Sequence, residues 1–200
     1  MLDPTLIIST VGLIGIIFII FAETGLFFGF FFPGDSLLFT AGILASQGIF
    51  NIYLLIIFCT IAAILGDSVG YWSGKKYGRR LFERDAGFFF KKKRIKEAEE
   101  FYEKYGKYTI IIARFVPVVR TFAPIVAGIG KMHYSTFISY NIFGGILWVG
   151  GMTLLGYVFG GMITNPDTYI IPIALLIIFI SFIPIIIKII KHRISKKSDL

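Results

Sequence analysis

Four ionisable side chains interrupt otherwise apolar stretches of this chain: Glu23, Asp35, Arg114 and Arg120. In a membrane each such group costs at least about 2.5–3.5 kcal/mol on insertion scales, so each is a functional candidate by default. The two acids belong to one broken segment, Glu23–Phe50, interrupted by Pro33-Gly34-Asp35. The two arginines belong to another, Tyr108–Lys131, interrupted by Arg114, Pro117, Arg120 and Pro124. On a continuous helix Arg114 and Arg120 would face about 240° apart. Pro117 stands between them and removes that constraint, because it ends or kinks a helix. Both guanidiniums can then converge, and two converging forks suit a phosphate. Freed N–H groups at the start of the returning half-helix, around Thr121–Ala123, would add to an anion site. Glu23 and Asp35 can pair with the arginines while the site is empty. A carboxyl reached by protons from one side and released to the other would couple the site to a proton gradient. The structural alternative is a set of static ion pairs, which such networks often are. Asp67, in Gly66-Asp67-Ser68, is a weaker fifth candidate, expected to serve a helix terminus or a lysine of the following loop.

These residues need a membrane around them, and the composition supplies the reason. Of 200 residues, 56% are hydrophobic and only 16% charged, with 22 Phe; mean hydropathy is +0.81. Soluble globules carry about 25% charged residues. Soluble enzymes, nucleic-acid-binding domains and disulfide-stapled scaffolds are thereby excluded, and Cys59 is the single cysteine. The net charge of +8 reads as topology. Residues 75–107 hold 12 Lys/Arg against 6 Asp/Glu, and residues 188–200 hold 5 against 1. The remainder is slightly acidic, as the positive-inside rule expects for one cytoplasmic loop and one cytoplasmic tail.

Spanning takes about 20 apolar residues. Leu6–Phe21, Ile52–Trp72, Phe137–Ile163 and Tyr169–Ile190 fit, and Leu6–Phe21 lacks the basic flank and cleavage site of a signal peptide. Both basic regions can face the cytoplasm only if an even number of crossings separates them. Tyr108–Lys131 is therefore expected to dip in and return. Such a segment is tolerated where protein or a polar cavity covers the broken backbone. Both termini are expected on the cytoplasmic side. An internal repeat supports the pairing of the two broken segments. Phe31-Phe32-Pro33 precedes Gly70-Tyr71-Trp72-Ser73-Gly74 by 37 residues, and Phe115-Val116-Pro117 precedes Gly156-Tyr157-Val158-Phe159-Gly160 by 39. The copies run in opposite directions, and inverted repeats with broken helices mark transporters whose site lies at the midplane. The expected fold is an all-α polytopic membrane protein, one membrane domain over residues 1–200. It has about four transmembrane helices and two opposing re-entrant hairpins, at about 23–50 and 108–131.

The rest of the chain is less specific. Ile95, Ala98, Tyr102 and Tyr105 share a face within loop 75–107, which predicts a short amphipathic helix at the headgroups. Gly144, Gly145, Gly150, Gly151, Gly156 and Gly160 are expected at close helix contacts. Trp72, Tyr71 and Tyr157 fit interfacial belts. Lys131 and His133 fit the cytoplasmic exit of the second hairpin, and Asn165-Pro166-Asp167 the outer turn before the last helix.

Five motifs in order carry a family resemblance: Glu23; Phe32-Pro33-Gly34-Asp35; Gly66-Asp67-x-x-Gly70-Tyr71-x-x-Gly74; Ala113-Arg114-Phe115-x-Pro117-x-x-Arg120; and Pro124-x-x-Ala127-Gly128. Together, over about Phe18 to Gly161, they resemble the DedA family, the bacterial branch of the VTT-domain or SNARE-associated proteins. The resemblance implies a multi-pass protein of the bacterial cytoplasmic membrane whose action depends on the proton motive force. It implies functional acids at Glu23 and Asp35 and functional arginines at Arg114 and Arg120. Some members look like flippases for undecaprenyl phosphate, others like phosphatidylethanolamine translocases. The expected activity is therefore transport of a phosphate-headed lipid, with Arg114 and Arg120 on the phosphate and Glu23 and Asp35 carrying protons. Asp67, Pro33, Gly34, Pro117 and Thr121 would support them. A phospholipid translocase or scramblase and a proton-coupled small-ion or drug exporter stand as alternatives. A membrane enzyme is disfavoured, since the histidines, His133 and His192, and the lone Cys59 form no catalytic or metal-ligand cluster. Neither a cofactor nor nucleic acid is expected, and the glycine-rich helix faces leave a homo-oligomer open.

Overall fold

The computed structural model describes residues 4–26, 34–77, 100 and 104–162. Pro33, the expected amphipathic helix, the last spanning helix Tyr169–Ile190, the turn at Asn165-Pro166-Asp167 and the basic tail lie outside the described residues. Within them the chain is all α-helix and short 3-10 turn, without a strand. Helix α1 is Pro4–Gly25, α2 Gly34–Ser46 and α3 Ile52–Tyr77. Helix α4, Thr109–Ile112, sits between 3-10 turns at Gly106–Tyr108 and Ala113–Phe115. Helices α5, Pro117–Ile129, and α6, Tyr134–Gly161, follow.

Among the described residues two helices are long and apolar enough to cross a membrane, α3 with 26 residues and α6 with 28. At 1.5 Å per residue they reach about 39 and 42 Å. They turn apolar side chains outward: Tyr53, Ile57, Ile61 and Leu65 on α3, and Phe143, Leu147, Leu154 and Val158 on α6. A water-soluble protein would bury such continuous stripes, whereas lipid accepts them. The chain is an all-α membrane protein.

The repeat is visible in the backbone. Each half holds a 13-residue helix, α2 or α5, then a turn, then a long helix. The turns share the same two closing bonds. After α2, Gly48 N–H donates to Ala45 and Ile49 N–H to Leu44; after α5, Lys131 N–H donates to Gly128 and Met132 N–H to Ala127. This is the Schellman pattern, and it needs a left-handed residue. Gly48 supplies φ 78° and Lys131 φ 53°. Asn51 then caps α3, its Oδ1 accepting N–H groups from Tyr53 and Leu54 at 3.0 and 3.2 Å.

Packing crosses between the halves. The α3 and α6 helices run antiparallel, with Tyr71 stacked on Phe137 at 4.7 Å between centroids. The short helix of each half lies on the long helix of the other. Glycines permit this approach: a Cβ on Gly74 would strike the carbonyl of Ile125 in α5, and one on Gly156 the carbonyl of Phe39 in α2. Each copy of the G-Y-x-x-G motif thus supplies backbone-to-backbone contact, at Gly74 in the first and at Gly156 and Gly160 in the second, whereas Gly70 meets only the Pro124 and Ile125 side chains. Gly150 and Gly151, expected at such contacts, have no heavy atom within 4 Å of a built Cβ. Tyr71, expected in an interfacial belt, is fully buried and donates its hydroxyl to Met132 O. It ties α3 to the turn after α5, while Trp72 and Tyr157 remain exposed.

The first broken segment differs from expectation. Nothing between Phe21 and Glu23 stops a helix, so α1 continues through Glu23 to Gly25. Thr24 hydrogen-bonds back to Ile20 O at 3.0 Å. Leu6–Phe21 is therefore the larger part of the same helix that delivers Glu23. Gly12 of α1 lies against Phe50 at the start of α3, and Gly25 against Gly66. The Gly12 end of α1 is thus at the end of α3 opposite Lys75 and Lys76, so a cytoplasmic start to α1 does not follow from this packing. In the second half, Tyr108 meets Tyr140 near the start of α6, and Met132, at the far end of the same segment, accepts the Tyr71 hydroxyl. Both ends of residues 108–132 lie at one end of the bundle, and the middle lies deeper.

Candidate functional site

The deep middle is made by a single break. Ala113–Phe115 tightens into a 3-10 turn, Val116 is extended at φ −119° and ψ 104°, and Pro117 opens α5. Pro fits the first turn of a helix because its missing N–H would be unpaired there anyway. Pro124 does not interrupt the segment further, since α5 runs through it. The break turns Arg114 and Arg120 toward the same interior: they are 1% and 4% exposed, and Arg120 Nη1 reaches the Arg114 carbonyl at 3.4 Å.

Their partners come from other elements. Arg120 Nη2 donates to Glu23 Oε1, and Nη1 donates to Asp35 Oδ1 at 3.0 Å. Glu23 comes from the last turn of α1 and Asp35 from the first turn of α2. Gly34 lets α2 start against Glu23, for any Cβ there would fall on the Glu23 carboxylate. Arg114 Nη2 donates to Asp67 Oδ2 at 2.5 Å and to Asn141 Oδ1. Asn141 is locked in turn, its Nδ2 donating to Ile64 O at 3.1 Å. Between the two stations stands Trp148. Its indole N–H donates to Asp35 Oδ1 at 2.6 Å. Its ring centroid lies 4.5 Å from the Arg120 guanidinium carbon and 5.9 Å from that of Arg114. Asp67 is residue 16 of the 26 in α3 and Trp148 residue 15 of the 28 in α6, so the cluster sits at mid-height of both spanning helices.

The four charges expected to meet do meet. Asp67 departs from expectation: it serves neither a helix end nor a lysine but is the carboxylate partner of Arg114. Three carboxylates therefore face two guanidiniums. Burial is uneven too. Side chains of Glu23 and Asp67 are 1% and 3% exposed, whereas Asp35 is 43% exposed and forms the open side of the cluster. Thr121 is buried, but the anion site expected on the N–H groups of Thr121–Ala123 is not there. Arg120 N–H already bonds Val116 O at 2.8 Å, so those groups lie inside the helix. Pro117 acts through the break it opens, and Pro33 lies outside the described residues. Asn141 and Trp148 were missed by sequence reasoning. The signal for Asn141 was its standing as the one amide side chain within Phe137–Ile163; that for Trp148 was its mid-span position, far from an interfacial belt. Gly144, read as helix packing, borders the site: a Cβ there would sit 3.0 Å from Arg114 Cδ. Among the described residues no group of His, Cys, Asp and Glu is arranged to hold a metal.

This site falls within a recognised domain. Residues 32–158 match the model of the VTT domain. The chain belongs to the DedA family of VTT-domain membrane proteins. It is 45% identical to Protein DedA of Escherichia coli K12 over 88% of this chain and 80% of that protein. It is 44% identical to an uncharacterised membrane protein of Mycobacterium leprae over 84% of this chain and 75% of that one. It is also 34% identical to the inner membrane protein YqjA of Escherichia coli, over 71% and 64% respectively. No solved structure matches it.

Proposed function

We propose that this chain is a lipid transporter of the bacterial cytoplasmic membrane that carries a phosphate-headed lipid, undecaprenyl phosphate first among them, across the bilayer. The observation that carries the reading is the pair of buried guanidiniums, turned inward by one break at mid-height and bonded to carboxylate and amide oxygens whose place a phosphate can take. Each arginine can offer two charge-assisted hydrogen bonds to phosphate oxygens. The lipid tail stays outside while the head passes the cluster, and no bond is made or broken, so the protein is a transporter and not an enzyme. In this reading the two broken segments re-enter from opposite faces and meet tip to tip. Lys75 and Lys76 face the cytoplasm, and the inner membrane is the setting, as the name of the YqjA relative suggests. The carboxylates hold the arginines when no lipid is bound. Proton uptake at Glu23 or Asp35 releases Arg120, which ties the cycle to the proton gradient.

The test is transbilayer movement in proteoliposomes, with labelled undecaprenyl phosphate and labelled phosphatidylethanolamine side by side, with and without a pH gradient. We expect Arg114→Ala and Arg120→Ala each to abolish movement of the polyprenyl phosphate while the protein still inserts and remains monodisperse. Normal movement in both variants would remove the phosphate role. The surplus carboxylate favours a second reading, in which the amine of phosphatidylethanolamine meets an acid. Faster movement of that lipid in the same vesicles would select it.

A further inference from the structure

We infer that Trp148 is itself part of the phosphate site: the indole N–H that holds Asp35 in this structure is passed to a phosphate oxygen when the headgroup takes Asp35's place on Arg120. The inference rests on the phosphate reading above and adds a donor that is not an arginine. Trp148 is 1% exposed in the middle of α6. Its Nε1 and Arg120 Nη1 converge on one atom, Asp35 Oδ1, at 2.6 and 3.0 Å. Two donors aimed at a single anionic oxygen form a receptor for any anionic oxygen of similar reach. Asp35 is the most exposed of the three carboxylates in the cluster, so it is the group an arriving headgroup meets first. A phosphate oxygen in its place leaves both donors satisfied, whereas a neutral or cationic head leaves a buried N–H unpaired, which is costly. The ring face meanwhile keeps the Arg120 guanidinium in position by stacking.

The test separates a ligand-binding indole from one that only positions Asp35. Full-length protein in detergent micelles is titrated with dodecyl phosphate, dodecanol and inorganic phosphate. Asp35→Ala removes the competing carboxylate and is expected to tighten dodecyl phosphate binding. In that background Trp148→Phe keeps a ring and loses the N–H. Binding is expected to weaken about tenfold or more, the scale of one hydrogen bond to a charged group. No change in the Asp35→Ala background would mean the indole serves Asp35 alone and would overturn the inference. Should Trp148→Phe fail to fold, Trp72→Phe leaves Trp148 as the single tryptophan of a chain with two, read by excitation at the red edge where tyrosine does not absorb. Its emission is expected to shift with dodecyl phosphate and not with dodecanol, and constant emission at saturating phosphate overturns the idea. If Asp35→Ala with Trp148 intact binds neither phosphate, the phosphate reading itself fails and this inference with it. Equal affinity for inorganic phosphate would keep the role of Trp148 and make the free anion its ligand, whereas a strong preference for dodecyl phosphate assigns a lipid head.

Discussion

At the residue scale the two arginines have different surroundings and should respond differently. Arg114 is held by Asp67 and Asn141, side chains of the two spanning helices, and is buried on every side. Removing one partner of such a pair leaves a charge without compensation, at about 3–5 kcal/mol. Asp67→Asn should therefore lower thermal stability in detergent by a large margin, measured by unfolding of the purified protein. Arg120 is held by two acids from the other half of the chain, one of them partly open to the outside. Glu23→Gln should leave the fold in place, because Asp35 remains as the counter-charge of Arg120 and Gln still accepts its N–H, yet Gln cannot take up or release a proton. Phosphate-lipid movement in proteoliposomes should then lose its response to an imposed pH gradient. A wild-type response would place the proton on another group.

At the scale of elements, the unit of construction is a short helix, a Schellman turn and a long helix, used twice. Its interfaces depend on glycine where backbone meets backbone. Gly74→Ala and Gly156→Ala, one from each copy of the motif, should each destabilise by about 1–3 kcal/mol through overpacking. Gly151→Ala, with open space around it, should instead be neutral or gain up to about 1 kcal/mol from helix propensity. Thermal unfolding of the three variants tests the contrast; equal losses at all three would mean the glycines serve flexibility rather than approach. The G-Y-x-x-G spacing is legible in the sequence itself. Which glycines border a helix and which border lipid is not, because that depends on the rotation of α6 against α2.

The whole molecule is two halves that complete each other. Neither half contains a neutral site: the acids Glu23, Asp35 and Asp67 come from the first and the arginines from the second. Separating the halves would leave buried charges unpaired on both sides, so the cluster is a fastening as well as a site. The orientation proposed above puts the two turns on opposite sides of the membrane. Ile49, in the turn after α2, lies at the opposite end of α3 from Lys75, while Lys131, in the equivalent turn after α5, lies near it. With Cys59 replaced by Ser, a cysteine at Ile49 should react with an impermeant maleimide from outside the cell, and one at Lys131 only after permeabilisation. Reaction of both from one side would contradict the opposed hairpins.

By itself the sequence determined the membrane class, the two broken segments, the inverted repeat and the four charges that meet, because these depend on composition, local breakers and spacing. It also carried the family, through motifs that are each a few residues long and follow one another in order. Only the tertiary structure decided who pairs with whom. Asp67 is 47 residues from Arg114, Asp35 is 85 from Arg120, and Glu23 is 97 from it. Asp35 and Trp148 are 113 apart. Those pairings follow from each short helix crossing to the long helix of the other half, and no local periodicity encodes that choice. The same crossing moved Asp67 from a helix end to the centre and brought Asn141 and Trp148 into a site where local pattern places neither. A buried charge takes whichever complementary group the packing delivers, and here the packing delivers them from across the repeat.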